Sequence, residues 1–503
     1  MQKHKLFIVL SIALTFIAIL FLIIGLPEMA FARPGGGHGF HGGGHSGGYS
    51  GGHSSGGGDL AYILFYCLIN YPIPTIIVII LSFIIYKIMT KDTDYDSVSS
   101  KPTSTNTFQN KSKMTVELNK LYSTDKNFSK PIFLDFASLL YTRYYQSIGK
   151  DDLSQINPFF KVEINKWDKY YITEIVIGSA NIIEISTDKD STTGKGITKI
   201  VVQYIGNYTA VSKENPNLRY RCDITENWQF IRGLEAVSTI PQGMGVLRCP
   251  HCGATAKFTD AGTCESCGST ICNDNDAWKV NAMSVVNIKK VKTSDVISYA
   301  EEIGTDYNTI YDKYVKSNEL TFLSLHNNKG YNDFNENIAK PYFYEIYKQY
   351  SNLTWEKARH LVSERQWQSM NFWITFCKEY DCHNALENVK ISKIETVKYE
   401  SDNYYESITV RIFASCIDYF KSSDGRCIAG NNHTPRYFSE YWTFVCRNGV
   451  DVSAKPLNKC PNCGAPADKM GQSGVCEYCG SKITDGNFSW VLFSITQDEV
   501  YEG

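Results

Sequence analysis

The sequence has 503 residues, of which 43% are hydrophobic and 20% charged, and its formal net charge is −2. This length predicts more than one globular domain, and the apolar content excludes a wholly disordered chain. The near-zero charge disfavours a nucleic-acid binder that works by bulk electrostatic attraction, because such domains are usually strongly basic.

The first 32 residues predict either a secretory signal peptide or a first membrane helix. Lys3 and Lys5 precede an apolar run over residues 6–24, and an Ala-Phe-Ala sequence ending at Ala32 follows it. A basic start, an apolar stretch and small residues at a cleavage site are typical of a signal peptide. The apolar run is also long enough to cross a bilayer of about 30 Å, so both interpretations stay open.

Residues 33–59 are almost wholly Gly, His and Ser, a composition that predicts a flexible tether on the outer side of the membrane. Loose binding of a transition metal is the less favoured alternative for its histidines. These histidines are His38, His41, His45 and His53.

A second apolar run within residues 60–89 predicts a transmembrane helix, and the polar residues 90–112 predict a linker. Lys87 and Lys91 follow the run, whereas the tether before it contains no lysine. Because lysine and arginine favour the cytoplasmic side, we expect everything after the run to be cytoplasmic. These segments predict a single- or double-pass protein of the cell membrane.

Beyond the linker, two stretches follow the same plan of helices, long strands, a cysteine-rich insertion and one more strand. In the first stretch, Phe133, Phe136, Leu140 and Tyr144 recur at three- and four-residue steps, which predicts an amphipathic helix. In the second stretch, residues 334–362 likewise predict helical structure.

Segments rich in Val, Ile, Tyr and Thr follow the helices in each stretch and alternate between apolar and polar residues. Helices followed by a meander of strands predict an α+β fold with two tandem, helix-backed, curved antiparallel sheets. We expect the first domain over residues 113–292, a helical linker over residues 293–317 and the second domain over residues 318–503.

Half of the sixteen cysteines form four CxxC pairs, and these pairs are themselves grouped in twos. The first set lies within residues 249–268 and the second within residues 460–480. Each set is predicted to be an insertion in the hairpin between the last two strands of its domain. The eight cysteines are Cys249, Cys252, Cys264, Cys267, Cys460, Cys463, Cys476 and Cys479.

Two CxxC turns that face each other bring four thiolates to one tetrahedral ion. Four soft ligands in closed geometry select zinc, and the absence of an open position makes the ion structural, not catalytic. We therefore predict two zinc ribbons with one zinc ion each, and we expect Arg248, Lys257, Lys459 and Lys482 to offset the charge of the thiolates. Disulfides and a redox CxxC are less favoured alternatives.

The remaining cysteines lack this spacing, and most are expected to be small buried side chains. Cys377 and Cys382, together with His383, are a less favoured candidate for a third metal cluster.

Two long segments resemble the Tim44-like domain: DFASLLYTRYYQSIGKDDLSQINPFF in the first stretch and YFYEIYKQYSNLTWEKARHLV in the second. An E-x-W-x-F motif follows in each, at Glu226–Phe230 and at Glu440–Phe444. A signal, a Gly-rich stretch, a membrane span and then this domain is also the layout of bacterial membrane proteins that carry it. The resemblance covers residues 113–290 and 318–503.

The resemblance implies a helix-backed curved sheet with a concave pocket, similar to the nuclear-transport-factor-2-like (NTF2-like) folds. The mitochondrial namesake of the family tethers a chaperone motor to the import channel and contacts the inner membrane. The duplication, the zinc ribbons and the membrane span depart from that pattern. The role of that protein in translocation is therefore not expected to apply directly to this chain.

We expect a membrane-anchored binding or scaffold protein whose two domains hold protein, peptide or lipid at the cytoplasmic face, with a link to protein transport. The expected partners are the lipid bilayer and a protein or peptide, and no nucleic acid is expected. Aromatic side chains on the inner sheet face are candidates to line a ligand pocket, although filling the core is the favoured role for any one of them. They include Trp228, Trp278, Trp442 and Trp490.

Two other function classes are weighed against this one. An NTF2-like enzyme acting on a small molecule would need an acid–base pair, and the sequence offers no recognisable catalytic motif, so we predict no catalytic residue and no enzyme. A zinc-ribbon module for nucleic-acid binding or regulation would need a basic cluster, which the sequence also lacks.

Overall fold

A computed structural model describes residues 107–503 of the chain, with gaps at 149–152, 154, 165–166, 168, 191–192, 241–242, 253, 256, 260–261, 272–276, 292–302, 327–330, 380, 451–455 and 467–472. The predicted signal or first membrane helix, the tether and the predicted transmembrane helix all lie outside the described residues. Within the described residues, no helix is both long enough and apolar enough to cross a bilayer.

The first half contains two helices and one four-stranded sheet. Helix α1 spans Thr107–Thr124 and helix α2 spans Lys130–Ser147. The strands are β1 (Tyr170–Lys189), β2 (Gly196–Ser212), β3 (Arg219–Gly233) and β4 (Lys279–Val291), and neighbouring strands pair antiparallel in that order. A 3₁₀ turn at Asn157–Phe159 stands before β1.

Helix α1 begins inside the segment that is predicted to be a linker. Leu121 is buried in the core, and Met114, Leu118 and Tyr122 pack against the same core. These residues recur at three- and four-residue steps, so one helical face is apolar although the segment is polar overall. The last six residues of the predicted linker, 107–112, are therefore helical in the structure.

The second half contains more helical structure. It comprises α3 (Val315–Leu325), α4 (Tyr331–Phe334), a π-helix (Asn335–Ala339), α5 (Lys340–Ser351), a 3₁₀-helix (Trp355–Leu361) and α6 (Glu364–Glu379). The sheet is formed by β5 (Cys382–Ser401), β6 (Tyr405–Ser422), β7 (Cys427–Gly430), β8 (Arg436–Arg447) and β9 (Val491–Gln497). Strands β5, β6, β8 and β9 pair antiparallel in that order, and the short β7 also pairs with β6.

Each cysteine set lies between the last two strands of its sheet, as predicted. The first set separates β3 from β4, and the second separates β8 from β9. In both cases the two strands remain antiparallel neighbours, so the insertion closes a long hairpin. The two halves thus share one order of helices, strands and cysteine insertion, and both are mixtures of helix and antiparallel sheet.

The predicted helical linker over residues 293–317 is only partly helical where the structure describes it. One 3₁₀ turn spans Ile303–Asp306, and residues 307–312 are neither helix nor strand. The Arg411 side chain donates to the Tyr307 carbonyl (2.8 Å), and the Ile310 amide donates to the Tyr441 hydroxyl (3.0 Å). These backbone groups, which a helix would pair internally, are instead hydrogen-bonded to side chains of the sheet.

Helix α6 packs against the sheets of both halves. This helix was not predicted from the sequence. It packs against β5 and β9 of its own sheet and against β1 of the first sheet, where the Ser369 hydroxyl donates to the Ile177 carbonyl (3.5 Å). A second contact lies at the start of α2. There the Lys130 ammonium pairs with Glu400 (2.7 Å), and the Lys130 amide donates to Asp402 (3.1 Å).

Candidate metal centres

The first cysteine set converges on one point. Cys249 Sγ lies 3.9 Å from Cys267 Sγ, and Cys252 Sγ lies 4.0 Å from Cys264 Sγ. All four sulfurs lie within 4.8 Å of one another. These distances are roughly twice the length of a disulfide bond, so the cysteines are not paired as disulfides. The four thiols form a cluster that can hold a metal ion.

The second set repeats this arrangement. Cys460 Sγ lies 4.0 Å from Cys479 Sγ, and Cys463 Sγ lies 3.8 Å from Cys476 Sγ. The first cysteine of each CxxC pair is buried, as it is in the first set, and the second is more exposed. The structure therefore brings together all eight cysteines that the spacing predicts, in two separate groups of four.

Local backbone hydrogen bonds shape the CxxC turns and need no metal ion to form. In the second set, the Cys460 amide donates to the Ala465 carbonyl (2.6 Å), and the Gly464 amide donates back to the Cys460 carbonyl (2.9 Å). Gly464 has φ of 76°, and Gly268 and Gly480 occupy the same left-handed region at 70° and 68°. A side chain would strain the backbone there, which explains the glycine after the second cysteine.

Hydrogen bonds at the last cysteine of each set favour its thiolate form. The Ser269 hydroxyl and amide lower the pKa of Cys267 to about 6, and the Ser481 amide and hydroxyl lower the pKa of Cys479 to about 6. A metal binds the deprotonated sulfur, so a lowered pKa reduces the competition from protons near neutral pH.

One of the predicted neighbouring cations has other partners. The Lys482 ammonium lies 4.0 Å from a Glu364 carboxylate oxygen and 3.4 Å from the Gly245 carbonyl. Gly245 precedes the first cysteine set, whereas Lys482 follows the second. Lys482 thus connects the two halves, which is a role that its sequence position does not reveal.

Asp135 of α2 lies in the same region. Its carboxylate accepts a hydrogen bond from the Gly245 amide (2.6 Å), and its side chain is buried. Burial raises the pKa of Asp135 to about 7, against the smaller opposing effects of the Gly245 hydrogen bond and of Lys482. The loop before the first cysteine set is therefore held by a carboxyl group that resists ionisation.

The third predicted cluster does not form among the described residues, where the two sets of four are the groups that can hold a metal. Cys377 and Cys382 are buried, and the His383 ring is hydrogen-bonded to the Ser351 carbonyl. The histidines of the tether lie outside the described residues.

The E-x-W-x-F motifs have the same buried surroundings in both halves. The Tyr145 hydroxyl donates to Glu226 (2.8 Å), and the Tyr347 hydroxyl donates to Glu440 (3.2 Å). Each tyrosine comes from the helix that precedes its sheet, on α2 and on α5. Sequence reasoning identified the glutamates but not their tyrosine partners.

The four tryptophans considered as pocket residues are all buried, and Trp228 and Trp442 are 0% exposed. The Trp442 indole N–H donates to Glu440 (2.9 Å), so the second motif also satisfies a buried polar group. These side chains fill the core, which is the favoured interpretation of each residue taken singly.

Comparison with known protein families identifies part of the second half. Residues 330–454 match the family model described as Tim44-like domain, and no curated protein matches the chain. The match begins just before α4 and ends after β8, so it excludes the second cysteine set and β9. Tim44-like domains are generally non-catalytic binding domains, which is consistent with a binding or scaffold role linked to protein transport. The second half of this chain therefore contains a Tim44-like domain.

Proposed function

We propose that the protein is a membrane-anchored scaffold in which two Tim44-like domains bind protein, peptide or lipid at the cytoplasmic face. The observation that carries this proposal is the Tim44-like match over residues 330–454. Such domains are generally non-catalytic binding domains, so the proposal needs no catalytic group.

The first half is a second copy of the same domain, and its packing supports this. Phe133 contacts Phe230 and Trp278 edge to face, with ring centroids 5.5 and 5.1 Å apart. In the second half, Phe334 contacts Phe444 and Trp490 in the same way, at 5.5 and 5.0 Å. In each half, one aromatic ring comes from the helix, one from the third long strand and one from the residue just before the last strand.

The spacing along the helices fits this correspondence. Phe133 and Tyr141 pack against Phe230 and Trp228 in the first half, as Phe334 and Phe343 pack against Phe444 and Trp442 in the second. The second helical stretch is one residue longer between these positions, and the π-helix at Asn335–Ala339 lies there. A π-helical turn accommodates one extra residue, so the aromatic contacts are kept.

Both cysteine sets hold structural zinc. A zinc–thiolate distance of about 2.3 Å gives a tetrahedron with sulfur–sulfur edges of about 3.8 Å. The pairs measured here are 3.8 to 4.0 Å apart. With four sulfur ligands, no position is left for a substrate, so each ion closes a long hairpin and does no chemistry.

The membrane anchor and the orientation rest on the sequence. The apolar run before Lys87 places residues 113–503 in the cytoplasm by the charge rule, and a cytosolic location keeps the thiols reduced for zinc. Zinc-bound domains close to the bilayer are then positioned to contact lipid headgroups as well as polypeptides.

Photo-crosslinking of the full chain in its own membranes tests the binding function. We expect polypeptides that are absent when an unrelated single-span membrane protein of equal abundance carries the same crosslinker. Protease added to right-side-out vesicles should leave residues 113–503 intact, and inverted vesicles should lose them. Crosslinks to no polypeptide and no lipid would contradict the scaffold function, and cleavage from outside would contradict the orientation.

A further inference from the structure

Strand β4 forms one edge of the first sheet, and most of this edge is unpaired in the described part of the chain. Phe160 bridges Val280 at the start of the strand, and the Lys161 amide donates to the Val280 carbonyl (2.8 Å). Beyond this bridge, β4 pairs on its inner side only, with β3. An edge strand presents a row of amide and carbonyl groups that another strand can pair with.

The same part of β4 exposes apolar side chains. Val285, Val286 and Ile288 are 55%, 50% and 51% exposed. Val285 is paired with Glu226 and Ile288 with Ile224, and both of these β3 residues are buried. Paired residues in antiparallel strands point to the same face, so Val285 and Ile288 extend the core-facing side of the sheet into solvent.

The equivalent edge in the second half is closed. Val362 bridges Leu492 as Phe160 bridges Val280, but there the chain continues into α6. The Ser363 hydroxyl donates to the Phe493 carbonyl (2.9 Å), and the Ile495 amide donates to the Gln366 side chain (3.1 Å). Strand β9 then ends at Gln497, whereas β4 continues to Val291.

Strand β4 has features that protect edge strands from unwanted pairing, but these features leave the middle of the strand accessible. Register shifts mark bulges near Asn281 and Val286, and Lys289 and Lys290 stand at the far end. Bulges and lysines are common devices against unwanted pairing. Neither lysine is adjacent to Val285, and the Lys290 ammonium lies 3.2 Å from the centre of the Tyr220 ring.

We propose that the outer edge of β4 binds an extended polypeptide of another protein, which adds to the sheet as an antiparallel strand. The partner alternates apolar and polar residues, because Val285 and Ile288 share one face while Ser284 and Asn287 are paired with polar residues on the other. Its amino end is acidic, because an antiparallel strand begins beside the lysines at the end of β4. The proposal rests on the proposed binding function and assigns that binding to the outer edge of β4.

A labelled peptide, Asp-Glu-Val-Thr-Val-Thr-Ile-Thr, provides the probe, and the full chain in detergent micelles provides the protein. We expect saturable binding that weakens by about tenfold or more in the double variant Val285→Lys/Ile288→Lys, since strand addition combines backbone pairing with side-chain fit. Leu320→Lys is the matched control, because Leu320 is 71% exposed on α3 and should leave binding unchanged. Equal binding by all three proteins would overturn the proposal.

Backbone methylation separates strand addition from capture of side chains. Successive amides of a strand point to opposite edges, so methylating either the Val and Ile amides or the Thr amides blocks one edge of the peptide. Strand addition predicts that one methylated peptide binds and the other does not. Binding of both, or of neither, contradicts addition at a single edge.

Three further outcomes identify what fails. If the native chain is a dimer that Val285→Lys/Ile288→Lys converts to a monomer, β4 pairs with a second copy and the assigned partner is wrong. If the double variant crosslinks the same polypeptides in membranes as the native chain, the edge is wrong while the binding function stands. If the native chain crosslinks none, the binding function itself fails.

Discussion

At the scale of single residues, the buried glutamates of the two E-x-W-x-F motifs give the clearest prediction about the free energy of unfolding. Burial raises the pKa of Glu226, and the hydrogen bond that Tyr145 donates acts against that rise. Tyr347 likewise donates to Glu440. Each donor therefore offsets part of the cost of burying a carboxylate, and the loss of one leaves an acceptor unsatisfied.

Replacing Tyr145 with Phe removes one such donor without removing the ring. We expect Tyr145→Phe to lower the free energy of unfolding by about 1–3 kcal/mol, and Tyr347→Phe to do the same in the second half. Tyr437→Phe is the control, because Tyr437 is 70% exposed. Urea unfolding followed by tryptophan fluorescence measures the change, and three equal values would show that the buried hydroxyls add nothing.

Asp135 predicts a pH dependence of stability. Because its pKa is raised from 3.8 to about 7 in the folded state, its contribution to stability is greatest below pH 4 and is lost as the pH rises towards 7. Asp135→Asn keeps an oxygen acceptor for the Gly245 amide but cannot ionise. The variant should therefore gain stability relative to the native chain as the pH rises from 5 to 7, with a slope of up to about 1.4 kcal/mol per pH unit.

Thermal or urea unfolding at several pH values measures this difference. Asp424→Asn serves as the control, because hydrogen bonds from Ser422 and Arg426 lower the pKa of the exposed Asp424. That control difference should be constant over the same pH range. A constant difference for Asp135→Asn as well would mean that Asp135 is ionised in the folded protein.

At the scale of elements, a buried ion pair holds the chain that joins the two halves. Arg411 Nε lies 2.9 Å from Asp498, and these side chains are 1% and 3% exposed. The same guanidinium donates to the carbonyl of Tyr307 and to the hydroxyl of Thr309. Arg411 of β6 thus connects residues 307–309, which precede α3, with the 3₁₀ turn Asp498–Val500 that follows β9.

Removing this arginine should be costly. We expect Arg411→Ala to destabilise the protein by about 3–5 kcal/mol, since it leaves the carboxylate of Asp498 buried without its partner. Arg426→Ala breaks the exposed pair with Asp424 and should cost about 1 kcal/mol or less. Arg411→Ala should also speed proteolysis within residues 303–314. Equal costs for the two variants would contradict the structural role of the buried pair.

The elements differ in how far the sequence determines them. The CxxC turns depend on residues a few positions apart, so spacing alone predicted which cysteines meet. The long strands were predicted by alternation, and their order by the repeated plan. Helix α6 was missed although its buried residues Trp367, Met370 and Ile374 recur at the three- and four-residue steps that predict a helix.

The remaining misses are contacts between distant residues. Arg411 meets Asp498, and Asp135 meets Gly245, across separations of 87 and 110 residues. The sequence around Arg411 and around Asp135 does not indicate these partners. From the sequence alone, both side chains are therefore expected at the surface. The described part of the predicted helical linker is only partly helical for the same reason, because its backbone partners lie on strands β5, β6 and β8.

At the scale of the whole molecule, one domain plan occurs twice on one chain. Both halves have a helix whose tyrosine meets the motif glutamate, an antiparallel meander and a cysteine insertion before the last strand. The halves differ at the edge of the last strand, which α6 closes in the second half, whereas in the first half the described residues pair with that edge only near Val280. Each half thus has a buried core of its own.

Native mass spectrometry of the full chain tests the central claim, that each half is an equivalent domain closed by its own zinc ion. We predict two zinc ions per chain, one in Cys249→Ser/Cys264→Ser, one in Cys460→Ser/Cys476→Ser, and two in the control Cys427→Ser, whose cysteine is exposed and outside both sets. A native chain without metal, or loss of both ions when one set alone is changed, would contradict two independent centres.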